Sequence, residues 1–309
     1  MKAPLRINDE VAEALRAGRP VVALESTVIS HGLPYPDNLQ LARELETIVR
    51  NEGAVPATIA IIRGQIRVGL DDEALALLAE GREPVAKVSR RDLAYVVARG
   101  LNGATTVAGT MVIARMAGIR IFATGGTGGV HREARDTFDI SADLFELART
   151  PVAVVSSGVK SILDIGATLE YLETLGVPVV GYGTEEFPAF YSVRSGFRLH
   201  QKVNSPAEVA HVIKTHFDLN LQNGLLIANP VPVESEIPFD EMEEFIHRAL
   251  AEQHERGITG KDITPFLLGR LKELTAGRSL QTNLTLLRHN ARTAARIARA
   301  LSEMEEMEK

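Results

Sequence analysis

The 309-residue chain has no cysteine and no tryptophan, and only 5% of it is aromatic. Without cysteine there are no disulfides, no thiolate-held zinc and no thiol nucleophile. That absence is compatible with a reducing cytoplasm. No apolar run approaches the ~20 residues that a membrane-spanning helix needs. The N-terminal stretch MKAPLRINDEVAEALRAGRP lacks the apolar core of a signal peptide. Nor is there a block of lysine and arginine: the net charge is −6 with both signs interspersed. A nucleic-acid surface therefore has no compositional support. The expectation is a soluble, cytoplasmic protein that binds neither nucleic acid nor membrane.

What is present is a large apolar fraction, 45%, ample for a buried core. Apolar strand patterns alternate with helical ones. VVALES, VAKVSR, IRIFATG, VAVVSSG, VPVVGYG and GLLIANP read as strands, and ATIAIIRG with QIRVGL reads as a hairpin. That alternation predicts an α/β fold with a mixed, largely parallel sheet. Asn8 is placed as a helix N-cap, and Asp37 opens a second helix. TTVAGTMVIARMAG is apolar on most sides and predicts a buried helix. No linker or repeat divides the chain, so 1–309 reads as one domain.

The stretch 104–166 carries most of the chemistry-bearing residues. In open α/β sheets, ligands bind beyond the carboxyl ends of the strands. Lys160 follows VAVVSSG with apolar neighbours on both sides. If a helix starts at Ser161, its positive end faces the amine. A neutral lysine there can attack a sugar C1 and form a Schiff base. On pattern alone, a surface lysine on a tight turn is the stronger reading. Glu25 ends VVALES, where a carboxylate can transfer protons or simply cap a helix. His31, a few residues on, reads as a loop histidine. GGTGGVHR is neither a dinucleotide fingerprint nor a Walker loop. It is either a flexible turn or a backbone cradle for phosphate. Asp139 and Asp143 flank Ser141, a predicted N-cap. One such carboxylate with waters can hold Mg²⁺ or Mn²⁺, but on the residues alone helix capping is the stronger reading. Lys87 and Arg132 are candidates to neutralise a phosphate.

Taken in order, several long motifs resemble the pseudouridine-5′-phosphate glycosidase family, also labelled indigoidine synthase A-like. They include ALESTVISHGLPYPDN (23–38), KVSRRDLA (87–94), NGATTVAGTM (102–111), FATGGTGGVHR (122–132) and DISADLFEL (139–147). GVKSILDIGATLEYLETLGVPVVGY (158–182), GITGKDITPFLL (257–268) and SLQTNL (279–284) continue the match. Two stretches depart from the family pattern: SSGV before the lysine and VESEI after ANPVP.

The resemblance implies a three-layer α/β/α fold and a homotrimer. It implies reversible cleavage of pseudouridine 5′-phosphate to uracil and ribose 5-phosphate through a lysine Schiff base. By resemblance Lys160 is the covalent lysine and Glu25 the proton donor. Lys87, the backbone at Val107, and Ser141, Ala142 and Asp143 bind substrate. His131 and Asn283 sit in motifs placed at the pocket, and Asp139 is the site of a divalent metal, usually Mn²⁺. A pseudouridine kinase would supply the phosphorylated substrate. Two alternatives stay open: a Schiff-base aldolase acting on another sugar phosphate, and a non-catalytic sugar-phosphate-binding regulator.

Overall fold

The computed structural model describes residues 5–258 and 263–308. Residues 259–262 of the GITGKDITPFLL motif lie outside it, as do the first four of the chain. Strand β1 (Leu5–Ile7) leads into α1 (Asp9–Arg16), and Asn8 caps that helix by accepting from the Val11 amide at 2.8 Å. Next come β2 (Val21–Leu24), a π-helical turn (Val28–Gly32) and α2 (Asp37–Asn51). The expected hairpin forms from β3 (Val55–Ile62) and β4 (Gln65–Val68). Then follow α3 (Asp72–Glu80), β5 (Val85–Val88), α4 (Leu93–Ala98), β6 (Asn102–Thr105), α5 (Val107–Ala117) and β7 (Ile121–Ala123).

The middle of the chain is built from shorter pieces: β8 (Val130–His131), α6 (Ala134–Thr137), α7 (Ala142–Leu147), β9 (Ala153–Ser156), β10 (Leu163–Asp164) and α8 (Ile165–Thr174). The rest comprises β11 (Val179–Tyr182), β12 (Gln201–Val203), α9 (Pro206–Asp218), β13 (Leu225–Ala228), α10 (Phe239–Glu255), α11 (Ile263–Leu274) and α12 (Arg278–Met307).

The main sheet runs in the order β1-β4-β3-β2-β7-β9-β13-β11-β12, with β6 branching from β3 and carrying β5. All pairs from β3 to β12 along this path are parallel. The antiparallel pairs are β3 with β4 and β3 with β6. Central strands β2, β7, β9 and β13 are buried at every residue. That explains their continuous apolar runs, since both faces of the sheet are covered. Helix α12 packs on β2, β7 and β9 and against α2 and α9, whereas α5 packs on β2, β3, β4 and β6 and pairs with α7. The result is a three-layer α/β/α fold with a mixed, largely parallel sheet. One apolar cluster extends from Val11 on α1 to Leu301 on α12.

Two expectations change. The helix after Lys160 starts at Ile165, where Asp164 caps it by accepting from the Ala167 amide at 2.9 Å. Residues 161–162 form a turn and 163–164 the short β10, so no helix dipole is aimed at Lys160 from Ser161. Strands β1, β6, β8, β10 and β12 have no counterpart in the pattern reading. Each has two to four residues, too few to show a two-residue period.

Candidate active site

The parallel strands deliver their carboxyl ends to one edge. Glu25 follows β2, Thr124 follows β7, and the turn Ser157–Lys160 follows β9. The Thr124 hydroxyl donates to Oε1 of Glu25. Glu25 is half-buried by surface area, yet burial is the dominant influence on its carboxyl. Burial pushes the carboxyl above the ordinary glutamate range, against the pull of Lys160, Thr124 and Lys87. Asp143 adds to the upward push.

Lys160 is half-buried. Its amide donates to the Thr127 carbonyl at 3.1 Å, and its carbonyl accepts from Leu163 at 3.0 Å. Gly158, two residues before it, has φ +82°, and a Cβ there would collide with the Pro188 carbonyl. Only glycine fits this turn. Lys87 comes from β5, paired in register with Ala104. Much of its side chain is exposed. Partial burial lowers the pKa of its amine, and the Lys160 charge lowers it further. Glu25, Lys87, Lys160 and Asp143 thus stand within one another's fields.

Asp143 is 6% exposed and ties the site together. Its Oδ1 accepts from the Ala108 amide at 2.9 Å and its Oδ2 from the Gly128 amide at 2.8 Å. The carboxylate joins the N-terminus of α5 to the glycine loop. In the first turn of α5, Gly109 donates to the Thr106 hydroxyl at 3.3 Å. Val107 is the first residue of α5, where helix-start amides point out of the helix and can meet an anionic group. Ser141 caps α7, accepting from the Asp143 amide at 3.2 Å, while Ala142 is exposed.

The glycine run is held by groups from elsewhere in the chain. The Thr127 amide bonds Gly158, the Gly128 amide bonds Asp143, and the Val130 amide bonds Thr168. A Cβ on Gly126 would lie 2.6 Å from the Phe190 ring, and one on Gly129 would lie 2.5 Å from the Thr168 hydroxyl. These glycines let distant elements pack closely.

Asp139 is 42% exposed at its side chain, and its Oδ2 lies 3.8 Å from His131 Nε2. Burial lowers the pKa of His131, with Asp139 opposing and Lys160 assisting. Among the described residues no group of three His, Cys, Asp or Glu forms a metal cage. An accessible Asp139 with His131 nearby fits a divalent ion that keeps most of its waters. Asp143 is buried, with each oxygen already accepting from a backbone amide, so Asp139 is the more accessible of the two acids.

Arg132 does not face an anion pocket. It makes a two-pronged pair with Glu243 on α10, at 2.9 and 2.7 Å, and donates to the Ser161 carbonyl at 3.1 Å. Its charge is already matched. Asn283 is half-buried near the start of α12, and no hydrogen bond ties it to these groups among the described residues. His31 is exposed in the π-helical turn.

Two partners escaped the pattern reading. Thr124 had a signal, a polar residue directly after an apolar strand. Arg90 pairs with Glu146 at 2.6 and 2.5 Å. Burial would raise the Glu146 carboxyl, but Arg90 and Thr150 outweigh it and hold it low. This pair fastens the segment after Lys87 to α7.

Residues 10–300 match the family described as Indigoidine synthase A like protein. The chain is 62% identical over 294 residues to a pseudouridine-5′-phosphate glycosidase of Deinococcus radiodurans, covering 95% of this chain and 94% of the relative. It is 58% identical to one of Solibacter usitatus, covering 95% and 98%. The prealnumycin C-glycosynthase AlnA, solved in complex with ribulose 5-phosphate, superposes with a TM-score of 0.91 at 39% identity, covering 98% of both chains. An indigoidine synthase A-like protein of Thermotoga maritima gives 0.87 at 40%, covering 96% of both. A site assembled from matched motifs, on a fold shared along the chain, leads to one placement: the chain belongs to the indigoidine synthase A-like family.

Proposed function

We propose that this protein is a pseudouridine-5′-phosphate glycosidase that cleaves the carbon–carbon bond between ribose C1′ and uracil C5. The observation that carries the reading is the convergence of Lys160, Glu25 and Lys87 at one sheet edge. Ordinary glycosidases use two free carboxylates and a heteroatom leaving group. Here Asp143 is tied to two amides, so the site offers one free acid and an amine. That set suits a carbon leaving group.

Glu25, whose carboxyl burial pushes above the ordinary glutamate range, gives its proton to the ring oxygen as the C1′–O4′ bond breaks. The Lys160 nitrogen bonds to C1′ and loses a proton. Uracil C5 then takes a proton, the C1′–C5 pair returns to the C5=C6 double bond, and the lysine nitrogen becomes an iminium. Water adds to the iminium and frees ribose 5-phosphate and the lysine. The net reaction consumes one water, and the lyase direction is its reverse. Lys87 and the Val107 amide supply charge and a donor for the phosphate. Asp139, with His131 beside it, would hold Mn²⁺, which when bound supplies positive charge and ordered water.

The same reading makes the protein a cytoplasmic homotrimer that depends on a kinase for its substrate. Phe138 and Phe145, 84% and 50% exposed beside Asp139 and Asp143, offer apolar surface for subunit contact. No described helix is long and apolar enough to cross a membrane.

Incubation with pseudouridine 5′-phosphate and Mn²⁺ should release uracil and ribose 5-phosphate in equal amounts. Trapping of a sugar phosphate on Lys160 without uracil release would point instead to an aldolase. Binding without either would point to a regulator.

A further inference from the structure

Helix α12 turns an apolar stripe to the sheet: Leu286, Leu287, Ala291, Ala294, Ile297 and Leu301 are all buried. Two buried polar residues, Asn290 and Thr293, interrupt the stripe. Asn290 is 0% exposed. Its Nδ2 donates to the Thr124 carbonyl at 2.9 Å, the Gly125 carbonyl at 3.3 Å and the Ser157 hydroxyl at 3.1 Å. Its Oδ1 accepts from Asn229 Nδ2 at 2.8 Å. Carbonyls only accept, so these partners dictate which way the amide points. The Asn229 amide in turn donates to the Ser156 carbonyl at 2.8 Å, and its Nδ2 reaches Thr293 at 3.3 Å. One side chain thereby joins the carboxyl ends of β7, β9 and β13. A buried network satisfied in this way is rigid.

Both reacting groups hang from it. Thr124 carries the hydroxyl bonded to Glu25. Ser157 opens the turn that reaches Lys160 three residues later, and its amide donates to the Gly125 carbonyl at 2.9 Å. We propose that Asn290 is a positioning residue for the reaction, aligning the Glu25 carboxyl through Thr124 and the Lys160 amine through Ser157. This rests on the functional reading above. Asn290 touches no substrate. Its contribution is to keep acid and amine in one fixed relation, which matters because misplacement by about 1 Å can cost a hundredfold in rate.

The test compares Asn290→Ala with Ile213→Ala, a fully buried truncation on α9 away from the site. Both should melt earlier than wild type. Assayed well below both midpoints, Ile213→Ala should keep kcat and KM. Asn290→Ala should lose kcat about tenfold or more with KM little changed. Its alkaline limb should move to higher pH as the Thr124–Glu25 bond loosens, and borohydride trapping of ribose 5-phosphate at Lys160 should slow. In a double-mutant cycle with Thr124→Val the losses should not multiply. An Asn290→Ala enzyme that matches Ile213→Ala in kcat and limb, or losses that multiply, would overturn the proposal.

If Asn290→Ala does not fold, Ser157→Ala removes one branch alone. It should slow trapping and leave the limb in place; unaltered trapping counts against the proposal. Should wild type release no uracil, the functional reading fails by itself. Carbon-13 titration of the Glu25 carboxyl, in wild type and Asn290→Ala, still tests the clamp. An upward shift in the variant supports it, and no shift rejects it.

Discussion

Thr124 gives its hydroxyl hydrogen to the same carboxyl whose pKa burial raises, that of Glu25. The two influences oppose one another. Burial raises the pKa and the hydrogen bond lowers it, so Thr124→Val should shift the alkaline limb of the pH–rate curve upward. Glu25→Gln should remove that limb and lower kcat by about 10²–10⁴-fold. The stability sign follows from the same shift. A carboxyl whose folded pKa is raised favours folding below its unfolded pKa and loses that advantage as pH rises through the folded value. Glu25→Gln should therefore melt higher than wild type near neutrality and show no such gain in acid. Thermal melts at both pH values check this.

Lys160→Ala should abolish turnover with the fold intact. Lys160→Arg should fail too, because a guanidinium is not neutral at working pH. Mass spectrometry after borohydride treatment with ribose 5-phosphate should place one sugar adduct on Lys160 in wild type only. Normal turnover in either variant would rule out the covalent route.

Lys87→Met should raise KM for the phosphorylated substrate. A charge-assisted hydrogen bond is worth about 1.5–3 kcal/mol, which is roughly tenfold to a hundredfold in affinity. Steady-state kinetics decide, and an unchanged KM removes Lys87 from the phosphate site.

Asp139→Ala should weaken Mn²⁺ binding in a calorimetric titration while leaving the melting point near wild type, since the side chain is 42% exposed. A variant that binds Mn²⁺ as tightly as wild type would reduce Asp139 to a surface acid.

Asp143→Ala should behave differently. It strands the Ala108 and Gly128 amides, at about 1–3 kcal/mol for each buried unsatisfied donor. The expected result is a large drop in denaturant midpoint together with lost activity. Lost activity at full stability would instead mark Asp143 as a direct substrate ligand.

Much of this architecture was legible because the signals are local. Burial on both faces makes β2, β7, β9 and β13 continuous apolar runs, and the ends of β2 and β9 marked Glu25 and Lys160 as strand-end groups. The caps at Asn8 and Ser141 depend on neighbours two or three residues away, so the pattern sufficed. Other features depend on partners the pattern cannot bring together. Arg132 finds Glu243 across 111 residues, and Asn290 finds Thr124 across 166. The glycine run looked loose in sequence, but it is held by Thr168, Phe190 and Asp143, which arrive from elsewhere in the chain. Asp139 and Asp143 are the plainest case. The two acids lie four apart and are chemically identical, and only packing left one exposed and bound the other to two amides. Periodicity and caps are properties of neighbouring residues, whereas the pairing of a buried charge is decided by whichever groups the fold encloses with it.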